Sequence, residues 1–152
     1  MSHNKKITTI VLLFSISFLN TKPIIANQKQ LKCLSEVIYF EGRGEPEQGQ
    51  RLIAKTVLER ASSDKFPDNV CSVIRQKGQF SYRTKKKLKI SEIEVYKKIE
   101  KIAKFEYNNF KSSDKHPLYF LNPKTAKNKK WTKNMKVVKK IGKHVFLNPG
   151  ST

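Results

Sequence analysis

Residues 39–50 read YFEGRGEPEQGQ, and the fold turns on how one helix enters this stretch and another leaves it. Before it, Leu31, Leu34, Val37, Ile38 and Phe40 recur at helical spacing; after Glu41, two glycines and a proline stop that helix. Pro46 suits the first position of a second helix. Glu47 falls in that helix's electropositive first turn, and Ile53, Ala54, Val57, Leu58 and Ala61 give it an apolar stripe. The stretch therefore reads as helix, tight turn, helix, with Glu41 at the junction. Packed side chains wall it on one side. On the other, Gly42 and Gly44 bear no side chain and leave room for a ligand. A carboxyl sheltered in this way keeps its proton to higher pH and serves as a general acid. The plain alternative is a surface acid beside an ordinary turn. Glu45 is the nearest second acid, but Gly44 and Pro46 interrupt any shared helix face, so it caps the second helix or braces the turn.

Toward the N-terminus, Lys5 and Lys6 precede an apolar run over residues 7–19, and residues 24–26 end in the small Ala26. This is the layout of a secretory leader over residues 1–26, followed by one domain over residues 27–152; an uncleaved anchor is the alternative. The run falls short of the roughly 20 residues a membrane span requires, so no stable span is expected once the leader is cleaved. The expected destination is the periplasm, the cell wall or the medium. Lys and Arg number 32 against 12 Asp and Glu, a formal charge of +20, of which the leader carries Lys5, Lys6 and Lys22. Such a balance suits polyanions, including anionic wall polymers, nucleic acid or a membrane surface; export argues against a specific nucleic-acid role. Export also allows Cys33 and Cys71 to form a disulfide, closing a loop that contains the Glu41 turn, with two buried free thiols as the alternative. Two cysteines without CxxC spacing and three dispersed histidines make a poor metal site, and no cofactor is expected.

Toward the C-terminus, Gln79, Phe80 and Ser81 pair an amide with an aromatic ring, the kind of set that grips a sugar. Arg83, Lys85, Lys86, Lys87 and Lys89 follow without an acid among them, either a solvated surface run or a polyanion contact. Ser91 and Glu94 have capping-box spacing. They precede the longest helix, whose Tyr96, Ile99, Ala103, Tyr107 and Phe110 read as a core-facing stripe. Residues 118–121, 137–138 and 144–147 read as two or three short antiparallel strands. Trp131 lies in a polar, lysine-rich loop and is either a core plug or a sugar platform.

Several blocks together resemble the SleB-type cell wall hydrolases, a bacterial and phage family named for spore-cortex lytic enzymes. They are CLSEVIYFEGRGEPEQGQ (residues 33–50), VLER (57–60), FPDNVCSVI (66–74), GQFSY (78–82), LYF (118–120), Trp131 and IGKHVF (141–146). The resemblance implies a lysozyme-like α+β domain, mostly helical with a small antiparallel sheet. It implies cleavage of peptidoglycan glycan strands between N-acetylmuramic acid and N-acetylglucosamine, by a monomer, with Glu41 as the catalytic acid. Gln79, Phe80, Ser81, Tyr119 and Trp131 would line the substrate cleft, and Gly42, Gly44 and Glu45 would support the turn. Two departures stand out. Gly42 occupies the place of the family's alanine, and Leu121 stands where many relatives carry histidine, which puts the extent of that subsite in question.

Two chemistries fit such a site. A lytic transglycosylase needs only Glu41, acting first as acid and then as base toward the muramyl 6-hydroxyl. A hydrolase needs a second carboxylate about 5 Å or about 6.5–9.5 Å away. Setting resemblance aside, the basic charge alone would describe a non-catalytic binder of anionic wall polymers or nucleic acid. Such a binder has no need of helix-breaking glycines gathered about one carboxylate.

Overall fold

In the computed structural model, which describes residues 24–84, 88–126 and 129–150, helix α1 (Ile24–Gly42) ends one residue past Glu41. The stop is held by a hydrogen-bonded turn. The Glu45 N–H donates to Gly42 O at 2.9 Å, and the buried Gln50 reaches back with Nε2 to Gly42 O at 3.0 Å and Glu45 O at 3.2 Å. Helix α2 (Glu47–Ser62) follows, with Pro46 as its cap residue rather than its first helical one. At Gly42 a methyl group would come within 2.7 Å of Ile53 Cδ1, so an alanine there would require Ile53 to shift. That atom is the swinging end of a side chain, so the shift is a small one.

The expected helical stripes form the core. Leu34, Val37 and Ile38 of α1 meet Ile53, Ala54 and Val57 of α2, with Val73 and Ile74 from α3 (Val70–Arg75) and Ile99 and Ala103 from α4 (Ile93–Asn109). Tyr96, Tyr107 and Phe110 pack at its edge, so the aromatic stripe of α4 is core. The capping box expected at Ser91 and Glu94 is absent. Glu92 caps α4 without a side-chain bond, Glu94 pairs with Lys97 at 2.8 Å, and the N–H groups of Ser91 and Glu92 both donate to Tyr39 Oη at 3.2 Å. A tertiary acceptor on α1 thus satisfies donors that a local cap would have taken.

Strands β1 (Tyr119–Leu121), β2 (Met135–Ile141) and β3 (His144–Pro149) form an antiparallel sheet in the order β1-β3-β2, giving the α+β class. Phe120 pairs with Phe146, and Lys140 with Val145, with an irregularity between Val137 and Lys139. β2 is longer than its two valines suggest because it is an edge strand exposed along most of its length, held by its ladder to β3 rather than by burial. Gly142, at φ +54°, makes the tight connection between them. The leader expected over residues 1–26 lies outside the described residues, apart from 24–26, with which α1 begins. Among the described residues no helix is long and apolar enough to cross a membrane.

A disulfide joins Cys33 of α1 to Cys71 of α3 across 38 residues, and the Cys71 N–H also donates to Gln30 Oε1 at 3.0 Å. Closing a loop of that length contributes about 4 kcal/mol in a chain-entropy account. Reduction is therefore expected to lower the melting temperature by about 10–20 °C. The Cys33→Ala, Cys71→Ala double variant should melt with the reduced protein, and calorimetry with and without reductant checks both.

Candidate active site

The helix–turn–helix faces the sheet across a cleft of about 820 Å³. Glu41, Gly44 and Glu45 line one side, Gln79, Phe80 and Ser81 another, and Phe120, Leu121, Lys143 and His144 the sheet side, with Arg60 among the lining residues. Gly44 has open space around the position of its absent side chain. A ligand approaching Glu41 thus meets backbone there.

Four acids surround the turn, and three are engaged. Glu36 pairs with Arg83 at 3.0 Å, Glu47 with Arg51 at 2.7 Å, and Glu45 Oε2 accepts the backbone N–H of Lys143 at 2.8 Å. Glu45 makes no side-chain cap to α2 and reaches instead to the β2–β3 connection, and its reach explains Gly142, where a side chain would fall on the same carboxylate oxygen. His144 Nδ1 stands 3.8 Å from Glu45, too far for a hydrogen bond, and is buried without a partner. Burial lowers the His144 pKa against the pull of Glu45, so the ring is neutral near pH 7.

The Glu41 carboxyl makes no hydrogen bond or ion pair with any described residue. Burial alone raises its pKa from 4.5 to about 7. Nearby, Phe40 and Tyr82 stack with ring centroids 4.8 Å apart, and the Tyr82 hydroxyl lies close enough to feel the charge of both Glu36 and Glu41. A carboxyl in this setting holds a proton that a substrate oxygen can take.

The expected substrate residues fall into three groups. Gln79 and Ser81 line the cleft at its rim; Gln79 Oε1 accepts Arg60 Nη1 at 3.1 Å, which leaves the amide Nε2 to donate outward. Phe80 also lines the cleft but is only 4% exposed and packs near Tyr82 and Phe120, so it forms floor rather than the stacking platform expected of it. Tyr119 and Trp131 lie outside the main cleft, in an adjoining depression of about 410 Å³. Their ring centroids are 5.9 Å apart and Trp131 is 42% exposed, so it is not a core plug. The two depressions share Arg60, Gly78, Gln79 and Phe120.

Sequence reasoning missed Arg60 and His144 as cleft residues. Arg60 had a signal, since it is a charged residue beside Ala61 at the end of the apolar stripe of α2, within the VLER block. His144 had none beyond its place in a strand.

A family model described as Cell Wall Hydrolase matches residues 44–147, beginning three residues after Glu41. The chain is similar to the spore cortex-lytic enzyme of Bacillus cereus, 32% identical over 120 residues, which cover 79% of this chain and 44% of that protein. It is similar also to the spore cortex-lytic enzyme of Halalkalibacterium halodurans, 30% identical over 125 residues, covering 80% and 36%. The chain thus spans less than half the length of these curated relatives. Among solved structures it is similar to the catalytic domain of the Bacillus cereus SleB protein, with TM-score 0.64, 32% identity and 80% and 91% coverage. A second is the catalytic domain of a germination-specific lytic transglycosylase, SleB, from Bacillus anthracis, with TM-score 0.65, 32% identity and 80% and 95% coverage.

The raised pKa of Glu41 has a signature in stability. Its folded-state pKa lies above its unfolded value, so no penalty exists below about pH 4.5, and one develops as pH rises toward and past about 7. Glu41→Gln is therefore expected to melt like the parent at pH 4 and to be stabler by about 1–3 kcal/mol at pH 8. Denaturant titrations at the two pH values check this. An equal difference at both would show that Glu41 is not buried as a neutral acid.

Proposed function

The chain belongs to the cell wall hydrolase family, and from that premise we propose that it is an exported enzyme cleaving peptidoglycan glycan strands between N-acetylmuramic acid and N-acetylglucosamine, as a lytic transglycosylase. The observation that carries this reading is Glu41. Of the two acids lining the cleft among the described residues, it is the one without a partner, and burial holds it protonated near neutral pH.

The reaction follows from one carboxyl. Glu41 gives its proton to the glycosidic oxygen as the bond to the muramyl anomeric carbon breaks, and positive charge develops on the ring. Now a carboxylate, Glu41 takes the proton of the muramyl 6-hydroxyl, whose oxygen closes on the anomeric carbon. The product is a 1,6-anhydro end, the carboxyl is restored, and no water is consumed. Hydrolysis would need a second free carboxylate to position water. Glu45, the other acid of the cleft, is occupied by the Lys143 N–H and gives that route no support.

Gln79 and Ser81 are suited to the polar groups of the sugar, and Trp131 with Tyr119 to its apolar face in the adjoining depression. Along the exposed edge of the sheet, Lys136, Lys139 and Lys140 carry no ion pair, which favours attraction to anionic wall polymers in addition to the glycan. Such attraction is screened by salt, unlike the chemistry at Glu41.

Glu41→Gln keeps the shape of the side chain and deletes its proton. It should lower the rate of peptidoglycan clearing by about 10²–10⁴-fold while the protein still sediments with the wall. In the parent, clearing should fall as pH rises past about 7, where Glu41 loses its proton. A variant that keeps more than a few per cent of the parental rate would remove Glu41 from the chemistry.

The second test concerns products. Mass spectrometry should find 1,6-anhydromuramyl ends, lighter by one water than hydrolysed ends, with no heavy oxygen taken from labelled solvent. Glu45→Gln still offers an oxygen to the Lys143 N–H and is expected to retain activity within about tenfold, with the same products. Reducing ends in the parent, together with a Glu41-sized loss in Glu45→Gln, would establish the two-acid route instead.

A further inference from the structure

Arg60 is a buried cation without a counter-ion. Its side chain projects from α2 and is 4% exposed, yet no carboxylate among the described residues lies within ion-pair range of it. The other cations of the cleft differ: Arg43 is half-exposed and paired with Glu92 at 2.7 Å, and Lys143 is exposed. Two of the Arg60 nitrogens are used within the protein. Nε donates to Leu118 O at 2.6 Å and Nη1 to Gln79 Oε1 at 3.1 Å. Nη2 bonds no described atom, and it is not among the side-chain atoms sealed away without a partner. One donor corner of the guanidinium therefore remains open. Arg60 lines both the Glu41 cleft and the Trp131 depression.

A purely structural role accounts for only part of this. Holding the Leu118 carbonyl takes one N–H, which a less costly buried donor would supply. Burial lowers the Arg60 pKa to about 10, and among the described residues the folded protein sets ring faces against this charge but no carboxylate. The rings of Phe66, Phe80 and Tyr119 lie 5.2, 5.8 and 5.2 Å from the guanidinium carbon and crowd it, confining approach to the open corner. A planar carboxylate fits an approach confined between rings and gains a charge-assisted hydrogen bond there. Glycan strands carry such groups on the stem peptides borne by their muramyl residues.

We propose that Arg60 forms a carboxylate-binding subsite at the junction of the two depressions, selecting strands whose muramyl stem peptides present a free carboxylate over strands whose stems are amidated. The proposal rests on the glycan-cleaving reading and adds to it a specificity set by Arg60. With Gln79 oriented by the same guanidinium, a bound carboxylate and an acetamido group would be read side by side.

The test uses the Glu41→Gln protein, so that ligand is bound without turnover. The ligands are two N-acetylglucosaminyl-N-acetylmuramyl dipeptides that differ only in a free or an amidated terminal carboxyl. Isothermal titration should show the free acid bound about 10- to 100-fold more tightly, the range of one charge-assisted hydrogen bond. Adding Arg60→Met should bring that ratio to about one. Adding Arg60→Lys, which keeps the charge and one donor for Leu118 but loses the planar fork, should reduce it several-fold, and a thermal melt establishes that each variant is folded. Equal affinity for acid and amide with Arg60 present overturns the proposal without recourse to either variant. So does failure of both ligands to bind at millimolar concentration, or an acid preference that survives in a folded Arg60 variant. Failure of the parent to clear peptidoglycan would instead overturn the glycan-cleaving reading, and the two failures are read in separate assays.

Discussion

The hydrogen bond from the Lys143 backbone to Glu45 ties the helical half of this protein to its sheet, and the cleft depends on it. Glu45 leaves the turn after α1 and reaches the β2–β3 connection, 98 residues away in sequence. The bond sets how far the hairpin stands from the turn, and so helps set the width of the gap in which Glu41 lies. It also requires Gly142, both for its positive φ and because a side chain there would collide with the carboxylate. One acid is thereby committed to geometry, and its neighbour four residues earlier is left free for chemistry.

That division of labour is electrostatic as much as geometric. The chain is strongly basic, and an exposed acid on it would be attracted to lysine or arginine, as Glu36, Glu47 and Glu92 are. An ion pair lowers a carboxyl pKa and would spoil a general acid. Glu41 escapes because it lies in the last turn of α1, where burial acts on it and no cation among the described residues pairs with it. Arg60 presents the opposite case, a cation on the same cleft with no acid within reach. Each is a charge-bearing group without an ion-pair partner among the described residues, and each lines the cleft a ligand would fill.

Much of the helical layer was legible from local pattern. The stripes of α1, α2 and α4 have helical spacing and are buried as that spacing demands, and the stop after Glu41 follows from glycine and proline. Local rules failed where a distant group offered a better partner. Ser91 and Glu94 have the letters of a capping box, but Tyr39 takes the backbone donors. Only Val137 and Val138 of β2 read as strand, yet β3 supplies a ladder that extends it from Met135 to Ile141. Phe80 reads as a sugar-gripping ring beside an amide, but Phe120 of β1, Tyr82 and Arg60 of α2 close over it.

The sequence by itself determined the helices, the turn and the identity of the carboxyl at its apex, because these depend on residues within a few positions of one another and on periodicity that any reader of the chain can count. Its likeness to a family also pointed to the class of reaction. Only the tertiary structure decided which acids are free and which are spent, that Arg60 lies unpaired between two depressions, that Trp131 is exposed while Phe80 is not, and that Glu41 is dry enough to hold a proton near neutrality. The physical reason is that desolvation and pairing are properties of surroundings assembled from distant segments, and no residue carries its own dielectric with it.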